Sequence, residues 1–477
     1  MLRAPTQRPM LLNGCRLSEA LRGLMVGMVD SGVRARGNWS QRVRSDRAAD
    51  GAFVAAVAIA VVVYYFAGRH QWFVRDDWDY VIGRDALRRQ RGAMHWLLEP
   101  QAGHWLTVPI LIFHVIKQWF GLRSYWPFLL PTMTAHVGAV LLVRTVCRRS
   151  SISAWTTTLI CTVLLVFGAG WENMIFAIQI SFNLSLVVFL AQIVLVDHDG
   201  PVDRRDYLAS AIAFIGLMSS GFGTIFMFGI VILLAARRRW LALLVVVGPQ
   251  CVAATWWYLW WETDGAAQPG NAWQLPIFVV RGLVTTFDGL AGIAGFGTLA
   301  LVATLATTLA RRSDRRVNTL YAALGATTLI MFTAIGKERV GLGTAFATSS
   351  RYAHVAAFVI APVFAGAIDQ LARISRNTRR AGLILLSASA AVNLSGLSRL
   401  SVEWAEQTRV QRNTYDLVAG SGLASQVQHD VAFFPESAAV HLDNLPELVA
   451  LGAVTPRRPD TLAEIQLVRT ALGLPDV

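Results

Sequence analysis

The sequence predicts an all-α polytopic membrane protein, with about eleven transmembrane helices and juxtamembrane helices in its first outer loop. Three observations predict it. The 477-residue chain is 54% hydrophobic and 15% charged, whereas a soluble protein of this size carries roughly a quarter charged residues. Apolar runs of about 17–25 residues recur along it, each long enough to cross a bilayer core as a helix. Arginine clusters fall between these runs and fix an alternating orientation.

The basic balance is a membrane feature. Net charge is +13 and mean hydropathy +0.47, yet of the 43 basic residues only Lys117 and Lys337 are lysine. The arginines gather between apolar runs, so orientation accounts for them better than a nucleic-acid partner. Cys15, Cys147, Cys161 and Cys251 show no paired spacing and imply no disulfide or metal framework. The chain has no Walker A loop, dinucleotide-binding glycine pattern or Cys/His metal cluster, which argues against a nucleotide-dependent or zinc enzyme.

Residues 1–50 hold nine Arg and no apolar core ahead of a small-residue cleavage site. They read as a cytoplasmic basic tail and not a cleaved signal. Residues 51–400 read as the transmembrane domain. Its first span, 51–67, starts inside, and residues 68–125 form a long outer loop. Within that loop residues 106–120 are apolar but carry Pro109, His114 and Lys117. Counting them as a span would place Arg144, Arg148 and Arg149 outside, so they are expected to lie along the surface as an amphipathic helix.

Spans then follow at 126–143, 152–167 and 175–196. Residues 207–236 must cross an even number of times between Arg204/Arg205 and Arg237–Arg239, and a hairpin broken at Ser219-Ser220-Gly221 satisfies this. The next span, 241–259, leads to an outer loop at 260–276. The stretch from Arg281 to Asp288 reads as interfacial or re-entrant, with a span at 293–310 that reaches the Arg311–Arg316 cluster. Spans at 317–335, 353–371 and 381–397 complete the set. Residues 401–477 read as a small extracytoplasmic region of short helices, including one at 402–418, a region around Pro435 and Pro446, and one at 462–472; the last 80 residues carry six Arg against ten Asp and Glu.

The candidate chemistry lies at Arg75-Asp76-Asp77-Trp78, just beyond the first span. Asp76 and Asp77 can cap a following helix. At a water–lipid boundary, partial desolvation and a like charge can instead raise one carboxylate into the range of a general base. Two adjacent acids cannot reach one pocket to equal depth, so one is expected to orient and the other to act, with Asp76 preferred. His104, in Gly103-His104-Trp105, reads either as an interfacial anchor or as an imidazole beside the aspartates. Glu172 and Asn173 close the third span, and Lys337, Arg339 and Arg351 flank the ninth and tenth. All share the membrane face of Asp76, where arginine either snorkels or grips a phosphate. Span interiors carry almost no ionisable residue, which disfavours an ion-coupled transporter.

These motifs, with the stretch at residues 120–128 (FGLRSYWPF) and Ser350-Arg351-Tyr352, resemble the integral-membrane GT-C glycosyltransferases, in particular bacterial, often actinobacterial, members that use a polyprenyl-phosphate sugar. The resemblance covers roughly residues 51–400. It implies a GT-C-like bundle whose first outer loop, 68–125, bears the catalytic acid on two juxtamembrane helices. Asp76 or Asp77 would deprotonate an acceptor hydroxyl, which attacks the anomeric carbon with inversion. Arg351, with Arg339 or Lys337, would stabilise the departing lipid phosphate, and His104, Glu172 and Asn173 would contact donor or acceptor.

The partners so implied are the lipid-linked donor, a cell-envelope glycan or glycolipid acceptor and membrane lipids, at the outer face of the plasma membrane. Asp76, Asp77 and Glu172 are the available cation ligands, and no metal or other cofactor is expected to be essential. Two other classes remain open from sequence. A transporter or flippase of lipid-linked glycans would draw on Gln179, Asn183 and Gln192; a non-catalytic scaffold would use the aspartates as caps.

Overall fold

A computed structural model describes residues 45–261, 270–310, 314–427, 433–434 and 439–475. Most of the basic tail, including Cys15, and Arg311 and Pro435 lie outside the described residues. The chain divides into two compact units, Met1–Ala52 and Phe53–Val477. Of the first, residues 45–52 are described, as the start of a helix that continues into the second; everything else discussed below lies in the second.

Among the described residues the architecture is all-helical and polytopic, and seven helices are long and apolar enough to cross a membrane. They are α1 (Ser45–Gly68), α4 (Trp126–Arg149), α7 (Ile180–Val196, extended by a 3-10 turn from Ala177), α10 (Trp240–Trp260), α13 (Arg315–Arg339), α14 (Ser350–Leu371) and α15 (Arg376–Ser421). Shorter apolar helices stand between them: α3 (Thr107–Phe120), α5 (Ala154–Leu165), α9 (Phe222–Ala236) and α12 (Gly297–Ala310). The remainder are α2 (Arg84–Leu98), α6 (Glu172–Ile175), α8 (Arg204–Leu217), α11 (Gln274–Ala291), α16 (Leu445–Ala450) and α17 (Leu462–Ala471).

Helix α14 is the axis of the bundle. Its entire apolar window is buried, against 33% for α10 and 22% for α15. Its sequence explains the position: Ala353, Ala356, Ala357, Ala361, Ala365, Gly366 and Ala367 keep its surface small, and small residues let neighbouring backbones approach closely. At Gly366 an added Cβ would lie 2.3 Å from the Tyr321 hydroxyl of α13. The first turn of this rigid helix carries Arg351.

The loop helices behave as expected. Along α3, Leu111, Val115 and Trp119 form an exposed apolar stripe, while Ile110, Phe113 and Lys117 are buried. That is the pattern of a helix lying in a membrane surface. The buried Lys117 amine donates to the Val81 carbonyl (2.5 Å) and to Asp85 (2.8 Å) and stands 3.5 Å from Glu447. Helix α2 follows a π-helical turn, Asp79–Gly83, and is broken at Gly92 (φ 85°). The expected hairpin break is also present: α8 and α9 part at residues 218–221, where the Ser185 and Ser220 hydroxyls meet at 2.9 Å.

One element is more fully defined than the sequence allowed, and one differs from expectation. The segment from Arg281 to Asp288 belongs to an 18-residue helix, α11, which turns at Gly292 (φ 70°) and pairs with α12; Asp288 accepts from the Gly297 amide across the turn. The span expected at 381–397 and the separate helix expected at 402–418 are one element, α15, of 46 residues. At 1.5 Å per residue it is about 69 Å long, roughly twice the bilayer core, so it crosses residue 400 unbroken. Residues 439–475 fold back on this extension: Asp416 accepts from the Thr455 amide at 2.7 Å, and its carbonyl accepts from Arg457 N at 2.9 Å.

Candidate active site

The segment after α1 is pinned before it reaches the aspartates. Trp72 and Trp78 pack edge to face at 5.2 Å, and both rest against Tyr415 of α15. Arg75 takes a positive φ of 49°, a region a non-glycine residue enters only when its surroundings compel it. Its guanidinium lies 5.0 Å from the Trp404 ring. Asp76 follows directly.

The two adjacent acids have opposite surroundings. Asp77 is fully buried and accepts from Tyr125 Oη (2.8 Å), the Ile178 amide (3.2 Å) and the Val74 amide (3.3 Å). It ties the loop to the start of α4 and to the turn entering α7. Burial pushes its pKa up to about 8, against the pull of these donors. Asp76 is exposed, and among the described residues none donates a hydrogen bond to its carboxylate. Crowding by the protein raises its pKa, opposed by the charges of Arg351 and then Arg75. Asp77 is thus bound as a structural strut, and Asp76 is the carboxylate left accessible.

Beside them, Asp79 accepts from Gln101 Nε2 at 2.9 Å, and burial and the neighbouring Asp76 raise its pKa to about 6. The buried Arg84 donates to the carbonyls of Trp96 (3.2 Å) and Glu99 (3.0 Å) and to Gln101 Oε1 (3.3 Å). This clamp shapes the hairpin 101–104, where Gln101 and His104 form an isolated bridge. The hairpin delivers His104 onto the α8–α9 break: a Cβ on Gly221 would stand 2.8 Å from His104 Nδ1. Trp105 secures it by stacking on Trp257 of α10 at 5.4 Å and 3°. Burial, with Arg339 and Arg351 nearby, lowers the His104 pKa to about 4, so the imidazole is neutral near pH 7.

His104 heads a groove of about 250 Å³ between α9, α10 and α13. Its walls are apolar (Phe182, Phe222, Phe228, Tyr258, Ile330 and Ile335), and Arg339, Glu338 and Tyr352 stand with His104 among its lining residues. An apolar slot with a few convergent polar groups is the usual form of a small-ligand site.

Arg351 joins groove and acid, since its charge acts on both His104 and Asp76. Its Nε is buried with no hydrogen-bond partner among the described residues, and its guanidinium lies near the rings of Tyr352 (5.5 Å) and Phe346 (5.7 Å). Glu172 accepts from the Ser350 hydroxyl. Asn173 Nδ2 faces the Arg351 carbonyl (3.5 Å) and His354 Nδ1 (3.3 Å), and His354 Nε2 meets His136 Nδ1 at 3.0 Å. Glu172 and Asn173 therefore brace the first turn of α14.

The groove brings His104 and Arg339 together, the Arg351 charge reaches both His104 and Asp76, and Glu172 and Asn173 support the first turn of α14. Lys337 is exposed on α13 and does not line the groove. The His136–His354 pair was missed, because no local pattern joins residues 218 positions apart. Gln192 and Asn183, offered for a transport path, donate to backbone carbonyls inside the bundle.

Ligand-type atoms also converge at the opposite ends of the spans, where His198, Asp203 and Asp206 offer atoms within 4.8 Å of one another. Arg239 already supplies a cation there, 3.0 Å from Asp206 and 3.2 Å from His198. Asp197 likewise takes Arg237 (2.7 Å) and Arg316 (3.0 Å); burial opposes its ionisation, but these arginines hold its pKa below the usual value.

No family model matches this chain, and no curated protein matches it in sequence. Among solved structures it is similar to the crystal structure of ArnT from Cupriavidus metallidurans bound to undecaprenyl phosphate, over 89% of each chain, with a TM-score of 0.49 and 13% sequence identity.

Proposed function

We propose that this protein is a glycosyltransferase that moves a sugar from a polyprenyl-phosphate donor to a cell-envelope glycan or glycolipid. The observation that carries the reading is the placement of one accessible carboxylate, Asp76, beside Arg351, which also acts on the head of an apolar groove lined by His104 and Arg339. A prenyl chain suits the groove walls, and its phosphate suits the arginines, whose planar forks bind phosphate bidentately.

In this reading Asp76 removes the proton of an acceptor hydroxyl as that oxygen attacks the anomeric carbon. The bond from carbon to the phosphate oxygen breaks on the opposite face, its electron pair stays with the lipid phosphate, and configuration inverts. Arg351 serves twice. It holds the charge growing on the leaving phosphate, and it opposes the rise in pKa that crowding causes at Asp76, favouring the ionised form that a base needs. His104, neutral at that pH, donates or accepts a hydrogen bond without adding charge. No divalent cation has a part in these steps. Residues 1–50 face the cytoplasm, and the Asp76 end, with residues 401–477, faces outward.

The test supplies purified protein in lipid nanodiscs with a radiolabelled polyprenyl-phosphate sugar and envelope glycolipid extract. The reading predicts a labelled product of inverted anomeric configuration, and a reduced rate for Ala334→Trp, which fills the groove. No product from any polyprenyl donor, with the protein folded, would refute it.

A further inference from the structure

A second cavity at the Asp76 end, of about 400 Å³, opens between the residues that follow α1 and the extension of α15. It shares no lining residue with the groove. Its two walls are fixed to each other: Gln71 Nε2 donates to the Ser401 carbonyl at 2.9 Å and to Ala67 at 2.8 Å. On one side its rim is apolar and open, with Phe66 55% and Val402 69% exposed. That rim continues the exposed apolar face of Val61, Val62 and Tyr65 on α1, a surface suited to lipid tails.

The other side is basic. Arg409, on the rim, is spent on Glu406 through contacts of 3.0 and 2.6 Å. Arg399 is likewise paired with Glu403, and Arg457 with Glu464. Arg69 and Arg412 differ: among the described residues neither has a carboxylate within ion-pair distance. Arg69 lies over the Phe66 ring at 4.7 Å, and Arg412 acts on Asp416 only through space. A single snorkelling arginine needs no ligand. Here two unpaired guanidinium groups, from segments more than 300 residues apart, face one cavity at an apolar rim, with His70 beside them.

We propose that this cavity binds the headgroup of a net-anionic phospholipid, whose tails lie against the exposed face of α1. Arg69 and Arg412 grip the phosphate, as guanidinium groups do. The site stands apart from the donor groove and does not depend on the transferase reading.

The test measures binding of phosphatidylglycerol, phosphatidylcholine of equal chain length and inorganic phosphate to the full chain in neutral detergent, by native mass spectrometry at fixed ionic strength. Wild type is compared with Arg69→Ala/Arg412→Ala and with Arg69→Lys/Arg412→Lys, and melting temperatures are recorded. The proposal predicts that the alanine pair loses at least about tenfold in phosphatidylglycerol affinity, that the lysine pair recovers part of it, and that all three melt alike. Phosphatidylcholine binds wild type at least about tenfold more weakly. Equal phosphatidylglycerol affinity in the alanine pair would overturn the proposal, as would phosphatidylcholine binding as tightly. Inorganic phosphate binding as tightly as the lipid would overturn the assignment to a lipid.

Discussion

Asp77→Ala should destabilise the protein without touching the reacting groups, and its cost can be worked from the structure. The side chain accepts from Tyr125, Ile178 and Val74, all at a fully buried position. An orphaned buried donor costs about 1–3 kcal/mol. Three of them, offset by relief of a desolvated carboxyl, leave a net loss of about 3 kcal/mol. The loss also depends on pH. The folded pKa of about 8 lies above the ordinary 3.8, so the contribution of Asp77 is fully present below 3.8 and fades as pH rises through 8. The gap between wild type and variant is therefore wider at pH 5 than at pH 8, changing by at most about 1.4 kcal/mol per pH unit. Thermal melting in detergent, followed by intrinsic fluorescence at both pH values, reads this directly. An unchanged melting temperature, or a gap that widens toward pH 8, would refute the reasoning.

Other outcomes follow from the same geometry. Arg351→Gln removes the charge that lowers the Asp76 pKa, so the acid limb of the rate–pH profile should move to higher pH while kcat falls; a limb that stays in place would exclude the interaction. Gly221→Ala puts a Cβ 2.8 Å from His104 Nδ1 and should raise the donor KM severalfold with little change in melting, because the imidazole can swing aside where backbone could not. Gly366→Ala drives a Cβ to 2.3 Å from the Tyr321 hydroxyl and should cost about 1–3 kcal/mol by overpacking the central helix, measured by the same melts. Chelation with EDTA should leave the transfer rate unchanged; a loss restored by a divalent cation would contradict the metal-free mechanism.

Much of the fold was legible because bilayer length and arginine placement constrain helices strongly. Ser219-Ser220-Gly221 marked the α8–α9 break, and Pro109, His114 and Lys117 marked α3 as a surface helix. The end of α15 was not legible. Beyond residue 397 the sequence turns polar, which ends a span, but Glu403, Ala405, Glu406, Gln407 and Arg409 still favour helix, so it continues into water. The site was half legible. Asp76 and Asp77 were singled out together, yet their division of labour depends on Tyr125 and Ile178, which lie 48 and 101 residues away from Asp77. The arginines near Asp197 and Asp206 mark orientation in the sequence but form a paired network in the fold.

The central claim is that Asp76 acts as the base. It is tested most directly by the rate of sugar transfer from a polyprenyl-phosphate donor by Asp76→Asn, beside wild type, at equal protein amount and verified equal melting temperature. Because the Asp76 carboxylate accepts no hydrogen bond from a described residue, its replacement should change stability by no more than about 0.5 kcal/mol. Loss of a general base should slow transfer by about 10²–10⁴-fold. A well-folded Asp76→Asn protein that transfers sugar at the wild-type rate would contradict the account.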